Sequence, residues 1–113
     1  MTTSESQSET CEQFGTELDI PADDEKLGVA LSTLDQVPLN GLRHPREAGT
    51  CGWYIWGGKS FPSDDEAFSP LHVGHVPEYC PASIRFLGLP PGWRFLTDGD
   101  YVDVWEDREL LNI

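Results

Sequence analysis

The stretch from Thr50 to Gly58, TCGWYIWGG, constrains this chain more than any other. β-Branched and aromatic residues favour a pleated surface, and flanking glycines suit the ends of a strand. Read with a period of two, Trp53 and Ile55 share one face, and Tyr54 and Trp56 share the other. Large groups on both faces place such a strand in the middle of a sheet, or else leave one face for a partner. Trp53 is the tryptophan expected to be buried.

Length and charge bound the rest. A chain of 113 residues fits one domain. Its 20 acids against 7 bases give a net charge of −13. Such a surface repels nucleic acid and anionic membranes and attracts basic partners, although acidity also serves solubility alone. No basic and apolar leader opens the chain, and no apolar run approaches the roughly 20 residues needed to cross a bilayer. Cys11, Cys51 and Cys80 are odd in number and irregularly spaced. That pattern fits free thiols in a reducing compartment rather than a disulfide framework. A cytoplasmic protein without membrane association is expected.

Residues 1–26 are rich in acids, with Lys26 alone opposing them, and hold few apolar groups: Phe14, Leu18 and Ile20. A segment like this buries too little surface to offset its ordering entropy, so it reads as a disordered acidic tail. The functional alternative is an acidic arm docking on a basic partner. Residues 27–113 then form the single domain. Leu27–Thr33 suits a first strand, with a helical turn as the alternative, and Asn40-Gly41 signals a turn before a second strand from Leu42. Gly57–Phe68 reads as a loop with the acid run Asp64-Asp65-Glu66. Ser69 and Pro70 look like the N-cap and first residue of a helix, with Leu71, Val73 and Val76 as its buried stripe. Pro77 kinks or restarts it, and Pro81 opens a further turn that points Ile84 and Leu87 inward.

Trp93–Thr97 and Tyr101–Trp105 read as a hairpin. A two-residue Gly99-Asp100 turn gathers Trp93, Phe95, Val102 and Val104 on one face, whereas a three-residue loop mixes the faces. The fold expected is α+β: a small, mainly antiparallel sheet with a short helical segment packed on one face.

Several residues invite chemistry. His72, His75 and Cys80 have an H-x-x-H-x₄-C spacing that offers two imidazoles to zinc if helical. No C-x-x-C accompanies them, and structural or surface histidines are the simpler reading. Cys51 with a histidine meets the minimum for a nucleophile, yet within a strand it is more simply a small core residue. Asp98, Asp100, Asp103, Glu106, Asp107 and Glu109 flank the hairpin. They suit acid–base work, a cation, a solvated edge, or the lysines and arginines of a partner. Tyr54 and Trp56 fit either a second core layer or an interface anchor pair. Arg43 and Arg94 suit pairing with acids, or stacking on Trp105, rather than phosphate binding.

Three stretches carry a family resemblance: GLRHP at 41–45, CGWYIWGG at 51–58 and PLHVGHVPEYCPASIRFLGLPPGWRF at 70–95. With Gly52-Trp53, Tyr79-Cys80-Pro81 and Pro91-Gly92 in place, the chain resembles the Imm33 (DUF2185) group of bacterial immunity proteins over roughly residues 28–95. The resemblance implies a small α+β domain that binds and neutralises a cognate toxin, and it carries over no catalytic residue. On that reading the partner is a basic toxin of a polymorphic toxin system. Tyr54, Trp56, Asp98, Asp100 and Asp103 are then the contact residues, with no cofactor and no metal. The competing reading is a small enzyme using Cys51 or a histidine–acid set on a small molecule.

Overall fold

A computed structural model describes residues 3–62 and 67–112 of the chain. The central strand is there as read: β3 covers Thr50–Gly57. Around it lie β1 (Lys26–Val29), β2 (Leu39–Arg43), β4 (Ser69–His72), β5 (Trp93–Thr97) and β6 (Val102–Glu106). The six strands form one sheet in the order β4-β1-β3-β2-β5-β6. β1 runs parallel to β3, and the other pairings are antiparallel. The helices are α1 (Thr3–Phe14) and α2 (Val76–Tyr79), with a 3-10 turn at Pro81–Phe86. The fold is α+β with a mainly antiparallel sheet.

β3 is buried on its inner face and at Trp56 on its outer face. Trp53 and Ile55 sit in the main core with Leu27, Val29, Phe86, Leu87 and Phe95. Trp56 belongs to a smaller cluster on the opposite face, with Ala30, Leu42, Leu110 and the half-buried Phe68. The Trp53 indole is buried and donates Nε1–H to the Leu87 carbonyl at 3.0 Å. Burying that large ring without orphaning its donor is what its position between β2 and the 87–89 segment provides.

The hairpin has the register of the two-residue turn. Phe95 faces Val104 and Thr97 faces Val102, so the apolar residues collect on the core face. The Asp98 amide bonds the Tyr101 carbonyl at 3.2 Å, which leaves Gly99 and Asp100 as the turn, with Gly99 at φ +104.

The N-terminal segment differs from the expected disordered tail. α1 presents Gln7, Thr10 and Cys11 as buried residues, with Phe14 packed beside them. The spacing 7, 10, 11, 14 is a helical stripe, but its members are polar or small, so composition hides it. Gln7 Nε2 donates to the Ile84 carbonyl at 3.0 Å, and the Cys11 thiol reaches the Gly88 carbonyl at 3.4 Å. A boundary at residue 26 therefore does not separate tail from domain.

Two further expectations are corrected. Asn40-Gly41 is not a turn, because β2 runs straight through it. A Cβ on Gly41 would lie 2.1 Å from the Phe95 ring, so the glycine is there for close approach. The Asn40 amide donates to the Gly58 and Pro38 carbonyls at 2.8 and 3.1 Å. Likewise Ser69-Pro70 does not start a helix. These residues open β4, an edge strand whose outer position tolerates a proline. The helical part begins only at Val73, and Pro77 falls in the first turn of α2. The acid run Asp64-Asp65-Glu66 lies outside the described residues.

Candidate partner-binding surface

One end of the sheet is locked by Arg43, a fully buried arginine at the end of β2. Its Nε donates to the Cys51 carbonyl at 2.9 Å. Nη1 donates to the carbonyls of Asp19, Leu89 and Leu87 at 2.8, 2.7 and 3.3 Å. The guanidinium lies 5.8 Å from the centroid of Trp53, and Nη2 is 3.9 Å from the Asp19 carboxylate. Burial pulls the Arg43 pKa down, and the Asp19 charge works against that. At the surface above, Arg46 grips Asp19 at 2.7 Å and Glu25 at 3.0 Å. For Glu25, burial disfavours the charge, but hydrogen bonds from Arg46 and the Ala22 amide outweigh it and lower the carboxyl pKa. Both arginines thus bind the 19–25 segment to the sheet. Neither offers a cation to an anionic ligand.

The β3 bulge beside this lock depends on Gly52. Its φ is +95, and a Cβ there would lie 1.9 Å from the His44 carbonyl oxygen. Cys51 next to it is sealed, and burial pushes its thiol pKa up, as it does for Cys11 and Cys80. A buried thiol with a raised pKa is a poor nucleophile. The His72 and His75 rings, with centroids 6.1 Å apart, stand at the surface while Cys80 is buried. Among the described residues no three His, Cys, Asp or Glu side chains are grouped as metal ligands.

The five expected contact residues do not converge. Cross-strand pairing puts Trp56, Asn40, Leu96 and Asp103 in one row on the outer face, and Tyr54, Leu42, Arg94 and Trp105 in the next. Trp56 and Asp103 are three strand spacings apart, roughly 14 Å. Trp56 is only 3% exposed, and Phe61 covers it edge-on at 4.8 Å, so it belongs to the second core layer. Tyr54 keeps 38% of its surface open, between His44 and Phe68 at 5.6 and 5.4 Å. Arg94 stacks over Trp105 at 5.4 Å and pairs with Asp107 at 3.3 Å.

The hairpin acids are open. Asp98, Asp100 and Asp103 are all exposed, and among the described residues none has a basic partner. Asp98 also shapes the turn, since its Oδ1 accepts from the Tyr101 and Asp100 amides at 2.7 and 3.0 Å. Those two amides lower its pKa and keep it ionised. Two residues outside the expected set also stand out. Val37 and Tyr79 protrude beside a cleft that Asp98 helps to line. The sequence holds only a faint sign of them, an apolar side chain between polar neighbours and a proline.

A six-stranded, mainly antiparallel sheet with short helices and an exposed acidic hairpin defines the class: a small α+β domain. The chain belongs to the family of Imm33-like domains, whose model matches residues 6–107. The match starts within α1, in keeping with a helix that is part of the domain. The family's name points to an immunity protein rather than an enzyme. No curated protein and no solved structure matches the chain.

Proposed function

We propose that this chain is an immunity protein that binds a cognate protein toxin and neutralises it by covering it, without catalysis, in the cytoplasm of the bacterium that makes both. The observation that carries the reading is the open set Asp98, Asp100 and Asp103 on an Imm33-like domain. Acids with no basic partner of their own project a field that speeds encounter with a basic surface. Net charge −13 gives the same field at longer range. The competing enzymatic reading loses its main support with Cys51 buried and its thiol pKa raised.

The test is stopped-flow association with the product of the adjacent toxin gene at two salt concentrations. The wild type should bind, and salt should slow association. Asp100→Asn combined with Asp103→Asn should lower kon and flatten its salt dependence, with koff changed little. Asp98 is left intact because it holds the turn. No binding by the wild type sinks the immunity reading, and binding without salt dependence makes the hairpin a solvated edge only.

A further inference from the structure

The sheet ends, on the side of the hairpin tip, in a cleft of about 250 Å³. Its walls come from three segments: Val37 and Leu39 entering β2, Tyr79 and Pro81 at the end of α2, and Thr97 and Asp98 at the hairpin. The lining is mostly apolar and contains no basic residue. Val37 is 67% exposed and Tyr79 is 50% exposed, so two apolar side chains flank the opening with much of their surface in water. Asp98 supplies the charge. Its Oδ1 is occupied by the turn amides, while Oδ2 makes no hydrogen bond among the described residues. Three more exposed acids adjoin the lining residues in the chain: Asp35, Glu78 and Asp100.

An apolar cleft with an acidic rim complements one kind of protein side chain. Arginine has an aliphatic stem that gains by burial against Val37, Leu39 and Pro81. Its planar cation bonds a carboxylate and stacks on an aromatic ring. A neutral apolar side chain would leave Asp98 facing it unpaired, and an acidic one would be repelled.

We propose that this cleft is the docking site for an arginine-bearing loop of the partner protein, with the guanidinium on Asp98 and Tyr79 and its stem against Val37 and Pro81. The partner being the toxin rests on the immunity reading. The cleft moves the centre of the contact away from Tyr54 and Trp56: its sheet residues Leu39 and Thr97 alternate with Asn40 and Leu96, which share the outer face with Trp56. It also gives the hairpin acids a second role, since Asp98 both shapes the turn and fixes the incoming cation.

Two measurements test this, and they separate the cleft from the immunity reading. The first compares dissociation of the toxin from wild type, from Val37→Ser combined with Tyr79→Ala, and from Tyr54→Ala. The exposed positions of Val37 and Tyr79 should leave the melting temperature in place. The double variant should raise koff about tenfold or more, as loss of an anchor does. Tyr54→Ala should leave it within about twofold. Unchanged koff in the double variant, with wild type binding normally, overturns the cleft and leaves the immunity reading standing. The second measurement needs no toxin and decides the matter where none binds. Amide NMR shifts are followed while acetyl-Leu-Arg-Leu-amide is added, with acetyl-Leu-Glu-Leu-amide as control. Shifts at Val37, Tyr79, Asp98 and Gly99 with the arginine peptide alone support the site. Shifts elsewhere, equal shifts with both peptides, or none at millimolar peptide overturn it.

Discussion

The two ends of β2 and its neighbours handle charge in opposite ways. At one end Arg43 is buried and surrounded by four backbone carbonyls, while Arg46 is clasped by Asp19 and Glu25. At the other end Asp98, Asp100 and Asp103 face water without a cation among the described residues. The first end uses its charges to fix the chain. The second leaves them free to act at a distance. A charge sealed inside a low-dielectric site is costly to disturb, whereas an exposed charge is worth little to stability and can be spent on recognition.

The sharpest way to break this contrast is Arg43→Met. The substitution keeps volume but takes the Arg43 donors from the carbonyls of Cys51, Asp19 and Leu89, while Leu87 keeps the Trp53 indole N–H. Unfolding in urea should show a loss of about 3–5 kcal/mol, in the range for removing one member of a buried charged network. A loss under about 1 kcal/mol would mean that the carbonyls find other donors and that the lock is not a lock.

Removing residues 1–15 comes next. It strips Gln7, Thr10 and Cys11 from the core and frees the arm that carries Asp19. The melting temperature should drop by about 10 °C, on the scale of roughly 4–8 °C per kcal/mol for a domain of this size. An unchanged midpoint would return α1 to the status of a tail.

The effect of acid on Arg46→Gln is smaller. Glu25 has a folded pKa below its ordinary value near 4.5. The stability it contributes is therefore present above its unfolded pKa and lost as pH falls through the folded one. Without Arg46 the folded pKa rises toward the unfolded value, so less of that contribution exists to be lost. The variant should be less stable than wild type at neutral pH, and the gap should narrow as pH falls below about 4. A gap independent of pH would assign the effect of Arg46 to packing rather than to charge.

The smallest effects belong to the open end. Asp100→Asn with Asp103→Asn should leave the melting temperature where it is, as expected of exposed surface positions. Asp98→Ala should lower it slightly, because two turn amides lose their acceptor, while Asp98→Asn should retain most of it. If the double variant moved the midpoint as far as Asp98→Ala does, the hairpin acids would be structural and the contrast between the two ends would collapse.

The same contrast explains what was legible in the sequence. β3 could be read because aromatic and β-branched residues announce a strand, and the hairpin register because only one turn collects Phe95 and Val104 on one face. α1 was hidden because its inward stripe is Gln7, Thr10, Cys11 and Phe14, which scores as polar. Asn40-Gly41 misled because a dipeptide that favours turns also serves a strand here, the glycine passing under the Phe95 ring and the asparagine bonding Gly58. Ser69-Pro70 misled because a helix start and an edge strand tolerate proline for the same reason, an amide that needs no partner. The outward position of Tyr54 and Trp56 followed from alternation. What covers Trp56 did not, because Phe61 folds back on it from an irregular loop with no periodicity to read, and Leu110 joins its cluster from the far end of the chain. Arg43 reads from sequence as a partner for acids, since nothing local reveals that four carbonyls from three other segments will meet it.

The docking of α1 also orders events during synthesis. Gln7 and Cys11 bond to Ile84 and Gly88, partners 77 residues later in the chain. The helix has 12 residues, too short and too polar to hold its shape alone in water. α1 therefore leaves the ribosome well before the segment it docks on, and stays an unordered acidic thread until residues 81–88 arrive. Its high charge, which contributes little to the finished core, keeps that thread from sticking to neighbouring chains in the interval.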